Sequence, residues 1–360
     1  MPPVEVLLMI HSLGHGGSER QLANIALSLD RSRFSPHVAS VLGGFQADAL
    51  RSAGIPVVPL PLRSFVRPSI IGVAQQIRSY IGRHRIRLVH TFDYTLSVLG
   101  VPVARTCPGV IALSSQRCYV DLVPSKYRKP LLIAHRIATG VVANCEEMRR
   151  DLIERYSYPA DRVRICYNGV DTERFRSAGR RPGDGLVIGT ACVLRPEKNV
   201  GQLLAAFAQV RRLREGLKLL IVGSGPERES LVAKSEALGI ADVCSFQPST
   251  PDVPAVMRAI DIFVHPSLSE GLPNAVMEAM SCGCAVIASR VGGCPELIED
   301  GRTGFLTQPG ELDSLTARLA AAILDDAARE RIADAGAERM KDFSLARSAE
   351  RMQQIYETYC

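Results

Sequence analysis

Four charged residues in the second half of the chain stand where they could hold an anionic, hydroxylated ligand. Arg195 and Lys198 lie three apart in C-V-L-R-P-E-K-N-V, and Glu270 and Glu278 lie eight apart in S-L-S-E-G-L-P-N-A-V-M-E-A-M. Two cations at a strand end suit a diphosphate, whose charge grows as its bond to another group breaks. Carboxylates beside such a group can accept hydrogen bonds from the hydroxyls of a sugar or a ribose. Taken singly, the two cations fit ordinary surface charges, and Glu278 fits a solvated helix face.

The elements that must position these residues are short. Ile262 to His265 is an apolar, strand-like run, and a polar loop carrying Glu270 follows it. Pro273 suits the first turn of a helix through Asn274 and Met280, which Gly283 can close in a left-handed conformation. The N–H groups of Gly271, Leu272, Asn274 and Ala275 would then surround the positive end of the helix dipole, a ready seat for phosphate. Near the N-terminus, Val4 to Ile10 reads as a strand, and H-S-L-G-H-G-G-S-E-R leads into a helix through Gln21, Leu22, Ile25, Ala26 and Leu29. The glycine spacing is not G-x-G-x-x-G, so a dinucleotide fingerprint is rejected. Gly16 and Gly17 allow a close backbone approach to a ligand, or form a tight turn and nothing more, and Ser18 is placed to cap the helix.

From Ser267 onward the string S-x-x-E-G-x-P-x-x-x-x-E-A-M-x-x-G-x-x-V-I-A-S-x-x-G-G-x-P-E-L-I-x-D-G-x-T-G-F-L resembles the donor-site segment of family 4 retaining glycosyltransferases, the group 1 glycosyltransferases of GT-B fold. R-P-E-K at 195–198, the glycine loop G-G-S-E-R and C-Y-N-G-V-D-T-E-R-F at 166–175 are similar to further motifs of that family. The resemblance is densest from Gly189 to Pro309. It implies an α/β chain of two Rossmann-like domains whose parallel sheets face each other across a cleft. Residues 1–176, with a crossover helix at 343–360, would form the acceptor domain, 177–185 the linker and 186–342 the donor domain.

The resemblance also implies a chemistry, the transfer of a sugar from a nucleotide diphosphate to a hydroxyl with retention at the anomeric carbon. A UDP-sugar is the favoured donor, with a GDP-sugar as the alternative, and Q-P-S at Gln247 leaves the base open. Arg195 and Lys198 would neutralise the diphosphate, Glu270 would contact the transferred sugar, and Glu278 the ribose. Gly16 and Gly17 would reach the diphosphate. No Asp-x-Asp stands at a strand end, so no metal or other cofactor is expected. One departure matters: many relatives carry a His after the strand that reads G-V-I-A-L-S-S here, and this chain places Ser115, Gln116 and Arg117 there instead. Arg117 is taken as its substitute, and His90 as structural.

Composition bounds the alternatives. At 360 residues, with 46% hydrophobic and 22% charged residues, the chain has room for two well-cored domains. The V-E-V-L-L-M-I start reads as a strand rather than a signal peptide, and no apolar run is long enough to span a membrane, so a cytoplasmic location is expected. Ten cysteines without C-x2-C spacing argue for reduced, buried thiols rather than zinc. The formal charge of +6 is weighted by basic residues between Arg63 and Arg136, which suit an acidic acceptor or anionic lipid headgroups, or form a solvated basic surface. No reading helix is apparent among them, so nucleic acid is not expected. The acceptor is expected to be a lipid-linked or cell-surface glycan precursor, with peripheral docking at the inner membrane face through 124–136. A catalytically silent sugar-nucleotide-binding subunit, a nucleotide-sugar epimerase and a phosphorylase remain as rival readings.

Overall fold

The computed structural model describes residues 2–14, 16–63, 69–177, 179 and 185–360. Strand and helix alternate along the chain, as the spacing of apolar runs requires. Among the described residues the contacts divide the chain into two compact units, Met1–Gly169 with Leu345–Cys360, and Val170–Ser344. The expected linker at 177–185 falls largely outside the described residues. The division of contacts lies earlier, because Val170 to Phe175 bond within the second unit. Val170 N–H donates to Phe343 O at 2.8 Å, Arg174 to Pro251 O at 3.3 Å, and Ser281 Oγ to Phe175 O.

In the first unit the strands are β1 (Val4–Ser12), β2 (Phe34–Leu42), β3 (Val57–Pro59), β4 (Leu88–Thr91), β5 (Ile111–Gln116), β6 (Gly140–Ala143) and β7 (Val163–Ile165). They form one parallel sheet in the order β3-β2-β1-β4-β5-β6-β7. The second unit contains β8 (Val187–Ala191), β9 (Lys218–Val222), β10 (Cys244–Gln247), β11 (Ile262–His265), β12 (Ala285–Ser289) and β13 (Phe305–Thr307), ordered β10-β9-β8-β11-β12-β13. Both orders reverse direction once, at β1/β4 and at β8/β11. In open parallel sheets that reversal leaves a crevice at the carboxyl ends of the strands, where ligands bind.

The strands read as near-continuous apolar runs because helices cover both sheet faces. One face of the first sheet packs Val6, Leu8 and Ile10 against Leu22, Ile25 and Ala26; the other packs Leu7 and Met9 against Val73, Ile77 and Leu99. In the second unit Ile188, Ile221, Val264 and Ile287 meet Leu203, Phe207, Leu315 and Leu319. The first helix is Gly17–Ser28, one turn longer at its start than the apolar spacing suggests. Its N-cap is Gly16 with no side-chain hydrogen bond, so the expected cap at Ser18 is not made: Ser18 already lies inside the first turn.

The helix Leu345–Tyr359 belongs to the first unit, as the crossover expected from the resemblance requires. Met352, Ile355 and Tyr356 enter its core. Tyr356 Oη is hydrogen bonded to His90 Nδ1 at 2.8 Å, and His90 Nε2 to Ser115 Oγ at 2.9 Å. Burial drives the His90 imidazole down to about 3, with Arg117 adding to the effect, so this ring is neutral and structural. Tyr356→Phe should cost about 1–3 kcal/mol by stranding a buried ring nitrogen, and Tyr356→Ala about 3–5 kcal/mol, read by urea denaturation.

Candidate functional site

Arg195 and Lys198 follow β8, and Glu270 follows β11, the two strands on either side of the reversal in the second sheet. Residues Pro196–Lys198 form one 3-10 turn before the helix Val200–Val210. The turn is seated on the G-S-G segment after β9. Leu194 N–H donates to Ser224 O at 3.0 Å and Glu227 N–H to Leu194 O at 3.1 Å. A Cβ on Gly223, at φ +155°, would lie 1.9 Å from Cys192 O, so only glycine permits this approach. Leu268 N–H donates to Glu197 O at 2.8 Å, which joins the Lys198 turn to the Glu270 loop.

On the other side the Glu270 loop rests on the turn at Gly292. Gly293 N–H donates to Gly271 O at 2.7 Å, and a Cβ on Gly292, at φ +51°, would lie 2.2 Å from Glu270 O. The G-G of the sequence string therefore supports the backbone of the Glu270 loop. The helix after the loop is Asn274–Ser281, with Pro273 as its N-cap rather than its first helical residue, and no side-chain cap bond. Its other end follows expectation: Gly283 takes φ +80°, and Cys284 N–H donates to Ala279 O at 3.0 Å. Leu272 is buried, and both Leu272 and Asn274 take part in interactions within the chain.

The geometry around Glu270 is tight. Lys198 Nζ donates to Glu270 Oε1 at 2.5 Å, and His265 Nε2 lies 2.7 Å from the same oxygen. Ser267 Oγ is 3.1 Å from His265 Nε2. The carboxylate is 11% exposed. Burial by itself would raise its pKa, but the charge and hydrogen bonding of His265 and Lys198 outweigh it and hold the group at about 2. Arg195, by contrast, is 60% exposed, and its ion pair to Glu197, at 3.8 Å, is long. Glu278 is buried, which removes the solvated-face reading of that residue. His265 and Ser267 carried no role in the sequence; the only signal was a polar residue ending an apolar strand.

In the first unit, Gly16 and Gly17 begin the helix after β1, and Arg117 follows β5. Ser115 is bonded to His90, and Gln116 to His135 at 2.9 Å and to Cys118 O at 2.5 Å. Arg117 NH2 donates to Asn168 Oδ1 at 2.5 Å, and its guanidinium lies over the Phe92 ring, 5.5 Å from the centroid. Among the described residues no group of His, Cys, Asp and Glu is gathered as a metal site, and no helix is long and apolar enough to cross a membrane.

The sequence model described as glycosyl transferases group 1 matches residues 171–339, and that of glycosyltransferase family 4 matches residues 15–174. The chain belongs to the family 4, group 1 glycosyltransferases. Curated relatives include the D-inositol 3-phosphate glycosyltransferase of Segniliparus rotundus, 31% identical over 224 residues, which are 58% of this chain and 50% of the relative. The sulfoquinovosyl transferase SQD2 of Arabidopsis thaliana is 27% identical over 299 residues, 77% of this chain and 57% of its own length. The chain thus spans about half the length of the curated relatives it matches. Anabaena Alr3699/HepE, solved in complex with UDP, superposes with a TM-score of 0.84 at 23% identity, covering 99% of this chain and 100% of that one. Sucrose-phosphate synthase from Thermosynechococcus elongatus gives 0.82 at 19%, covering 99% and 98%. These likenesses establish the two-unit α/β fold of the GT-B kind.

The depressed Glu270 carboxyl links this site to stability. Its folded value, about 2, lies below the ordinary 4.5, so its contribution is complete above pH 4.5 and is lost as pH falls toward 2. Glu270→Gln should lower stability at pH 7 by about 2–3 kcal/mol and flatten the decline between pH 4.5 and 2, measured by urea denaturation across pH.

Proposed function

We propose that this chain transfers a sugar from a nucleotide diphosphate donor, a UDP-sugar before a GDP-sugar, to a hydroxyl acceptor with retention of anomeric configuration. The observation that carries the reading is the pairing of Lys198 with Glu270 at 2.5 Å where the second sheet reverses. A cation and a sugar-binding carboxylate at one crevice suit a glycosyl diphosphate. The exposed Arg195 and the start of the helix Asn274–Ser281 supply further positive potential there.

In this reading Lys198 and Arg195 take the diphosphate, Glu270 the hydroxyls of the transferred sugar, and Glu278 the ribose. Gly271, Leu272, Asn274 and Ala275 line the helix start. Gly16 and Gly17 form the glycine loop of the first unit. The acceptor oxygen bonds to the anomeric carbon as the bond to the β-phosphate oxygen breaks, on the same face. The acceptor proton passes to a phosphate oxygen, and the electron pair of the broken bond stays with the diphosphate. The cations of the site supply the charge that a metal ion would otherwise bring, so we propose metal independence.

A thermal-shift panel of nucleotide sugars tests the donor. UDP should stabilise the protein, Lys198→Ala should weaken UDP binding about tenfold, and Glu270→Ala should abolish transfer and donor hydrolysis while UDP still binds. Turnover should persist in EDTA. Absence of UDP or GDP binding, or full activity in Glu270→Ala, would overturn the reading.

We place the protein in the cytoplasm, peripheral to the membrane, with a lipid-linked or cell-surface glycan precursor as acceptor. The helix Ser125–Ile137 supports this by carrying Ile133, 59% exposed, beside Lys126 and Lys129. Cosedimentation with anionic but not neutral vesicles is expected, and Ile133→Asp should abolish it; equal binding to both vesicle types would count against docking.

A further inference from the structure

The first sheet has its own reversal, between β1 and β4, and its carboxyl edge carries a cluster of which the sequence singled out only Arg117, as the substitute for a histidine of the family. Of the three residues ending or following β5, Ser115 and Gln116 are engaged inside the unit by His90 and His135. Arg117 is not. Its guanidinium bonds to the neutral amide oxygen of Asn168 and lies over Phe92, and among the described residues no carboxylate reaches ion-pair distance of it. Burial pulls the group down to about 10, and the acidic side chain that opposes this, Glu19, acts only at longer range.

The other acidic group at this edge, Asp93, accepts backbone N–H groups from Leu96 and His11. Two more polar atoms at the same edge have no partner. Asn144 Oδ1, immediately after β6, and His11 Nδ1, at the end of β1, are buried without a hydrogen bond. Asn144 is 3% exposed, and its N–H donates to Gln116 O at 3.3 Å, next to Arg117 in the chain.

A largely desolvated cation without a counter-ion is an expensive arrangement unless a ligand supplies the anion. The planar fork of arginine matches two oxygens of a phosphate or carboxylate. An orphan amide oxygen at the adjacent strand end, where Gln116 pairs with Ala143, calls for a donor, which a hydroxyl provides. We propose that this edge of the first unit binds an acceptor that is both acidic and hydroxylated, Arg117 taking its oxyanion and Asn144 one of its hydroxyls. The inference rests on the transferase reading for the word acceptor, but the anion site is built from first-unit residues, whereas the diphosphate cations Arg195 and Lys198 belong to the second unit.

The test is calorimetric binding of glycerol 3-phosphate, glucuronate, inorganic phosphate and glycerol to the full chain, with and without saturating UDP. An acidic probe should bind beside UDP, and glycerol should not. Arg117→Gln should weaken that probe about tenfold or more, Arg117→Lys should weaken it less, and UDP affinity should be unchanged in both. Asn144→Ala should weaken glycerol 3-phosphate or glucuronate but not inorganic phosphate. Preference for glycerol 3-phosphate assigns a phosphate acceptor, and preference for glucuronate a carboxylate. Binding of neither, competition of both with UDP, or undiminished binding in Arg117→Gln would overturn the proposal. Repeating the titration without UDP on the Arg195→Ala/Lys198→Ala protein separates the two readings. There, acidic-probe binding that still depends on Arg117 supports the first-unit site even if the wild type fails to bind UDP. Should Arg117→Gln fail to fold, the comparison rests on Arg117→Lys and Asn144→Ala.

Discussion

A carboxylate stripped of most of its water must have its charge answered from within the protein, and at Glu270 two nitrogen donors answer it on one oxygen. Lys198 and His265 reach Oε1 from different strands, β8 through its following turn and β11 through its last residue. Because both donors crowd Oε1, the second carboxylate oxygen carries neither of these bonds. Lys198 is the shared element: it answers the charge of Glu270 in this structure and follows β8 on the other side of the sheet reversal. A ligand that recruited Lys198 would leave the His265 contact to Glu270 Oε1 in place.

That pair depends on backbone placed within contact distance by missing side chains. The turn holding Arg195 and Lys198 lies against the G-S-G segment, and the loop holding Glu270 lies against Gly292 and Gly293. The two supported segments are then tied to each other through Leu268 and Glu197. Charged groups are thus set on a frame of backbone hydrogen bonds rather than on flexible side-chain packing. This is what a site needs if geometry must persist while charge redistributes.

Much of this frame is visible in the residues themselves. The apolar runs at 88–91, 140–143 and 262–265 coincide with strands β4, β6 and β11, because their boundaries are sharp changes from apolar to turn-forming residues, and the crossover helix expected at 343–360 is observed at Leu345–Tyr359. Other elements leave weaker marks. The helix Tyr94–Arg105 contains Pro102, a residue that reads as a breaker, and is held at its start by Asp93 accepting from Leu96 N–H. The helix Asp326–Arg339 is mostly polar and has a narrow buried face, Ile332, Ala333 and Gly336, with Arg329 among it. Strand β7 is three residues long, and pairing with β6, not local composition, makes it a strand. At the site, Glu270 and Lys198 were singled out by the resemblance of their motifs, since their spacing alone fitted surface charges as well. His265 was not, since its role comes from where β11 ends in space.

The two sheets are built on the same plan and resolve charge in opposite ways. At the β8/β11 reversal the buried carboxylate has two donors and a depressed pKa, so its ionised form is the comfortable one. Near the β1/β4 reversal the cation Arg117 has an amide and a ring but no carboxylate, and its pKa is pulled in the direction that burial without compensation dictates. Nearby apolar residues could have filled that position at lower cost, since replacing buried charge with apolar groups of similar volume is often neutral or stabilising. Ser115 and Gln116, two and one residues earlier, show that this strand end can satisfy polar groups internally when structure alone is at stake. An arginine left short of a counter-ion in the same three-residue stretch is therefore better explained by a partner that arrives from solution than by the folding of the sheet.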